Sequence, residues 1–220
     1  MCHVGQMSTI RLLPTSRLKA FSDGVYAIVI TLLVLDLKVP ESSNDLGGAL
    51  LRSWPAFLAY LVSFVFIGSS WLAHTRLTVA LVTADEVFNT MNLLLLLLVT
   101  FLPFSSALMS HYLVGPGQRL AVGLFGVNVT LATAASAVLA SYGRYKSELS
   151  SAKDRATLAE IAQSRWMFSA LMGLSVVVVL LLPSVAVAFY LLLSALMLMR
   201  PLRILTLGGR RQDDTGENGA

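Results

Sequence analysis

Long runs of apolar residues alternate with short polar intervals along this chain, and six of the runs predict membrane-crossing helices. They cover about 21–39, 51–73, 91–110, 119–141, 166–182 and 184–200. A helix needs roughly 20 apolar residues to cross a hydrocarbon core, and these runs meet or approach that length. Pro103 falls inside the third run and predicts a kink there. The fourth, "RLAVGLFGVNVTLATAASAVLAS", is rich in small residues that permit close helix packing. Only "LPS" at 182–184 separates the last two runs, which predicts a tight helical hairpin. The long interval 142–165 is charged and is expected to be a cytoplasmic loop, in part helical. The glycine-rich polar end predicts a disordered tail. The expected organisation is a cytoplasmic N-terminus (1–16), a six-helix transmembrane domain (17–203) and a cytoplasmic disordered tail (204–220). The opening motif has no counterpart in the second half, so no internal duplication is expected.

Composition supports the membrane assignment. The 220 residues are 56% hydrophobic and 13% charged, against about a quarter charged in an ordinary soluble domain. The net charge of +4 does not redirect the expectation to nucleic acid, because basic excess in a membrane protein gathers on its cytoplasmic flanks. Thirteen of the 16 Lys and Arg fall on one side of the six runs, and Lys38, Arg52 and Arg119 fall on the other. That asymmetry predicts both termini inside. The one cysteine, Cys2, excludes an intrachain disulfide, and no metal site is expected. The N-terminal residues show no signal-peptide apolar core, so the first helix is expected to carry targeting.

The first run, "RLKAFSDGVYAIVITLLVLDLKVP" (17–40), carries the most chemistry. With a turn of about 100° per residue, Ile28, Thr31 and Leu35 share one stripe with Leu32 beside it. Arg17 and Phe21 project close to that stripe, whereas Ser22 and Asp23 lie on its two flanks. Ser22 and Asp23 fit two roles. One is a helix N-cap, where a carboxylate suits the positive end of the helix. The other is a polar network with Trp71, His74 and Asn92, which would satisfy groups costly to bury alone. Thr31 also has two readings. In one, its hydroxyl simply bonds back to the Ala27 carbonyl. In several copies around an axis, its oxygens would replace part of a cation's hydration shell, with Ile28 and Leu35 as apolar constrictions on either side.

The remaining charges change the picture little. Asp36 and Lys38 suit interfacial anchoring, and Asp85, Glu86, Glu148, Asp154 and Glu160 are expected to be solvated loop charges. No nucleotide-binding loop, zinc-protease motif or TVGYG potassium filter occurs in the chain. A channel built from it must therefore select with side chains.

The segment 17–40 resembles the first-helix signature of the transmembrane protein 175 family of endosomal and lysosomal potassium channels, in its prokaryotic branch. Phe21-Ser22-Asp23 matches the family's FSD motif, and Arg17 matches the arginine four residues before it. "WLAHTR" (71–76) and "NLLLLLLVTFLPFSSALM" (92–109) are similar to the end of the second helix and to the third. Lys19, and "PFSSAL" where "PFPTAL" is usual, depart from the pattern. The resemblance implies an all-α integral membrane protein with six transmembrane helices per subunit, a homotetramer with the first helix lining a central pore. It implies pore and selectivity roles for Ile28, Thr31, Leu32 and Leu35. It implies a structural network of Arg17, Phe21, Ser22, Asp23, Trp71, His74 and Asn92. The expected function is passive, potassium-favouring cation conduction in a prokaryotic plasma membrane, with K+ as the permeant ion and no cofactor. The expected partners are other copies of the chain and the lipid bilayer. A proton-coupled secondary transporter using Asp23 and His74 is the alternative, ranked lower because transporters place ionisable groups nearer the midplane.

Overall fold

The computed structural model describes residues 13–39, 45–146 and 148–213. Segments 1–12 and 214–220, parts of the expected terminal regions, lie outside the described residues. Among the described residues the fold is helical apart from one antiparallel bridge, in which β1 (Leu13–Pro14) pairs with β2 (Thr83–Ala84). Helix α1 spans Thr15–Leu32 and tightens into a 3-10 turn over Leu33–Asp36. It therefore opens earlier and ends earlier than the run 21–39 predicted. A short α2 (Leu46–Arg52) has Asp45 as its N-cap, accepting from the Gly48 amide at 2.9 Å. Helix α3 (Trp54–Val79) starts after Ser53 with Pro55 in its first turn, where the missing N–H leaves no bond unmade.

The expected kink lies between α4 (Glu86–Thr100) and α5 (Leu102–Tyr112), with Phe101 at the break and Pro103 just after it. Proline removes one backbone donor and crowds the carbonyl four residues back, here Val99. Helices α6 (Gln118–Tyr145) and α7 (Asp154–Leu181) both extend into the interval 142–165, which leaves a much shorter connection than the loop expected there. Leu182 alone separates α7 from α8 (Pro183–Asp213), as the hairpin expectation required. The helical backbone of α8 continues past residue 204, where a disordered tail was expected.

Among the described residues, five helical segments are long and apolar enough to cross a membrane: Thr15–Asp36, Trp54–Val79, Glu86–Tyr112, Gln118–Tyr145 and Asp154–Val179. Helix α8 adds a shorter apolar stretch, Val185–Met199. The most extensive packing is α6 along α7, and α8 closes the bundle against α3 and α7. Small residues permit this close approach: a Cβ on Gly126 would stand 1.9 Å from the Tyr190 hydroxyl of α8. Helix α1 lies at the margin of the bundle, packed mainly on α3 and α4. Large apolar side chains such as Leu93, Leu94, Leu97 and Phe104 remain exposed, as lipid contact requires.

The charges between helices are not all solvated. Asp85, expected on a solvated loop, is only 2% exposed. It caps α4 by accepting from the Phe88 amide at 2.8 Å, and it receives the Tyr142 hydroxyl at 2.7 Å and the Lys146 ammonium at 2.5 Å. Burial pushes its carboxyl up, but Lys146, the Phe88 amide and the Tyr142 hydroxyl outweigh burial and hold it below its ordinary 3.8. Hydrogen bonding to Asp85 and Tyr142 raises Lys146 in turn. The Val82 amide donates to the Leu149 carbonyl at 2.9 Å, so the α3–α4 and α6–α7 connections are fastened together.

Candidate pore helix and its polar anchors

Burial divides α1 cleanly. Ser22, Tyr26, Val29 and Leu33 are buried, recurring every three or four residues as one face of a helix must. Phe21 (57% exposed), Ile28 (61%), Leu32 and Leu35 (71%) lie exposed, and Thr31 is exposed among them. The 3-10 turn keeps Leu35 on this face, since its tighter winding aligns residues three apart, here Leu32 and Leu35. The stripe expected from helical periodicity is therefore the face that the protomer leaves open. Thr31 Oγ1 donates to the Ile28 carbonyl at 2.8 Å. The back-bond expected to Ala27 is thus made one residue later.

Helix α1 begins at Thr15, so Ser22 and Asp23 lie about two turns inside it and cap nothing. Five of the residues are instead hydrogen-bonded to other helices, in two separate groups. Asn92 Nδ2 donates to Ser22 Oγ at 3.0 Å, and Asn92 Oδ1 is 2.7 Å from His74 Nε2. Because the amide nitrogen faces Ser22, its oxygen is the acceptor, and His74 donates from Nε2. Trp71 Nε1 donates to Asp23 Oδ1 at 2.9 Å. Ser22, His74 and Asn92 are each at most 1% exposed. Without these bonds each would be an unpaired polar group in a low-dielectric interior. Asp23 and Trp71 occupy the exposed rim of the same cluster. Arg17 and Phe21 are exposed, and no hydrogen bond or ion pair among the described residues joins them to it.

Sequence reasoning missed a deeper layer. Tyr26 Oη and Ser70 Oγ are 3.1 Å apart, and the Tyr26 ring lies against His74 with centroids 5.6 Å apart. Arg165, expected as a cytoplasmic flank charge, is instead inside α7 and 4% exposed. Its Nη2 donates to the Ser69 carbonyl at 2.9 Å, and its Nη1 is buried with no acceptor among the described residues. One signal was available for Tyr26, which follows Ser22 by four residues and so shares its face. Arg165 gave no such signal, because it borders an apolar run where flank charges are ordinary.

The family model described as endosomal/lysosomal potassium channel TMEM175 matches residues 17–103, which hold all but the first two residues of α1, all of α3 and α4, and the whole polar cluster except Arg165. A potassium channel of Chamaesiphon minutus is 45% identical over 115 residues, 50% of this chain and 57% of that protein. A potassium channel of Streptomyces collinus is 42% identical over 102 residues, 45% of this chain and 49% of its own. The human endosomal/lysosomal proton channel TMEM175 is 38% identical over 118 residues, 49% of this chain and 23% of its own. The chain thus spans about half the length of the bacterial curated relatives it matches. The crystal structure of a lysosomal potassium-selective channel TMEM175 homologue from Chamaesiphon minutus superposes with a TM-score of 0.77 at 32% identity. The superposition covers 84% of this chain and 97% of that one. A variant of the potassium channel MtTMEM175, bound to a nanobody fusion, shares the fold with a TM-score of 0.58 at 18% identity. It covers 92% of this chain and 99% of its own. By fold, by matched segment and by sequence, the chain belongs to the TMEM175 family, a family of ion channels and not of enzymes.

Proposed function

We propose that this chain forms a passive, potassium-favouring cation channel, a homotetramer whose α1 helices surround the conduction path. One observation carries the reading: α1 bonds its polar anchors to α3 and α4 and leaves Ile28, Thr31, Leu32 and Leu35 open. A helix at the margin of a protomer, exposing an apolar stripe with one hydroxyl in it, is suited to meet its own copies around an axis. In that arrangement Ile28 and Leu35 form apolar rings on either side of a Thr31 layer. The Thr31 proton is engaged by the Ile28 carbonyl, which leaves the lone pairs of Oγ1 free to face a cation. Ser22, Asp23, Trp71, His74 and Asn92 hold α1 in the required rotation. The permeant ion is K+, no cofactor takes part, and the distribution of Lys and Arg supports a plasma-membrane orientation with both termini cytoplasmic.

The transporter alternative has less support, since Asp23 bonds Trp71 while His74 bonds Asn92, and no bond joins the two. Proton permeation is the second reading, favoured by relatives 38% identical that are named proton channels. Purified protein in liposomes under a K+ gradient tests the proposal. It predicts K+ flux above Na+ flux without a requirement for a pH gradient. Flux equal to that of empty liposomes would sink it, and flux that saturates and needs a pH gradient would favour the transporter.

A further inference from the structure

The match to the family model ends at residue 103 and so leaves out α7, yet α7 contributes a buried charge beside the anchors of α1. Arg165 is 4% exposed and binds the Ser69 carbonyl through Nη2 at 2.9 Å. An arginine inside a membrane-spanning segment is costly, and it points to a function and a partner. Here the partner is a backbone oxygen with a particular position. The Ser69 carbonyl belongs to the rigid peptide plane that leads into Ser70. Arg165 thus ties α7 to the turn of α3 from which the Ser70 side chain reaches α1. Ser70 Oγ meets Tyr26 Oη at 3.1 Å, and both residues are only 2% exposed.

Among the described residues three side-chain bonds tie α1 to the bundle, and those of Ser22 and Asp23 lie nearer its N-terminus than that of Tyr26. Tyr26 is a turn deeper, level with the start of the open stripe at Ile28 and on the opposite side of the helix. The Tyr26 contact therefore sets the rotation of α1 at the depth of Ile28 and Thr31. We infer that Arg165 is a positioning residue for the conduction path, acting through the Ser69–Ser70 peptide and Tyr26 to fix the rotation of α1. The inference rests on the proposed channel function for its electrical readout.

The test compares Arg165→Met, Ser70→Ala, Tyr26→Phe and the Arg165→Met/Tyr26→Phe pair in reconstituted bilayers. Each single substitution is expected to lower the K+/Na+ permeability ratio while oligomer size stays that of the wild type. The pair is expected to lower it no further than one substitution alone, as residues acting along one path do. An unchanged ratio in an assembled Arg165→Met, or simple additivity in the pair, overturns the inference. If Arg165→Met does not assemble, Tyr26→Phe and Ser70→Ala decide the matter, and unchanged ratios in both overturn it.

A second readout does not need conduction. In a Cys2→Ser background, the buried Val29→Cys is expected to react several-fold faster with a membrane-permeant thiol reagent when Arg165→Met is added. An unchanged rate overturns the inference. If the wild type passes no cations, the channel proposal has failed, and this labelling still judges the role of Arg165.

Discussion

The Asn92 amide of α4 donates to the Ser22 hydroxyl of α1 over 3.0 Å, and the same side chain bonds His74 of α3 through its oxygen. One residue thus joins three helices, and it is 1% exposed. Asn92→Ala is expected to leave two buried partners unsatisfied, each costing about 1–3 kcal/mol. Thermal unfolding followed by size-exclusion chromatography should show a clear fall in the midpoint. A midpoint equal to that of the wild type would show that the network contributes no stability.

Thr31 presents a contrast. Its hydroxyl bonds only within its own helix, to the Ile28 carbonyl, and the residue is exposed. Thr31→Val keeps the shape, so its effect on stability is expected to stay within about 0.5 kcal/mol. The K+/Na+ permeability ratio should nevertheless fall toward one, while Thr31→Ser keeps most of it. Reversal potentials identical in Thr31→Val and wild type would remove Thr31 from the selectivity layer.

Asp85 gives a pH dependence with a defined sign. Its carboxyl titrates below the ordinary 3.8, so its stabilisation is complete above that value and is lost as pH falls through the depressed one. Lys146 is raised from 10.5, so its contribution is complete below 10.5 and is lost only as pH rises through the higher value. Loss of the α4 cap in Asp85→Ala is expected to cost about 0.5–2 kcal/mol. The difference in melting temperature between wild type and Asp85→Ala should be flat around neutrality and shrink on strong acidification. A difference that grows on acidification would contradict the assigned direction.

Gly126 allows the α6–α8 contact, with a Cβ there falling 1.9 Å from the Tyr190 hydroxyl and 2.8 Å from the ring carbon bearing it. Gly126→Ala is expected to destabilise by about 1–3 kcal/mol through overpacking. Adding Tyr190→Phe removes the nearer obstruction and should recover part of the loss. Absence of any recovery in thermal unfolding would place the strain elsewhere in the α6 interface.

The apolar runs, the kink near Pro103, the α7–α8 hairpin and the open stripe of α1 were all legible in the sequence. Each depends on local composition or on helical periodicity, which a single segment carries within itself. Ser22, Asp23, Trp71, His74 and Asn92 were legible as candidates for mutual bonding from the rule that buried polar groups seek partners, but not their division into two bonded groups.

Tertiary structure decided the rest. Ser22 and Asp23 are anchors and not caps because α1 starts at Thr15, beside the bridge that pairs Leu13–Pro14 with Thr83–Ala84. Asp85 is buried because Tyr142 of α6 and Lys146, just past its end, arrive from far along the chain. Arg165 is a core residue because α7 packs its guanidinium onto the Ser69 carbonyl. In each case the environment of a charge or hydroxyl is set by a partner distant in sequence. The residue's own neighbours carry its propensity and its periodicity, but not the identity of the group that will satisfy it.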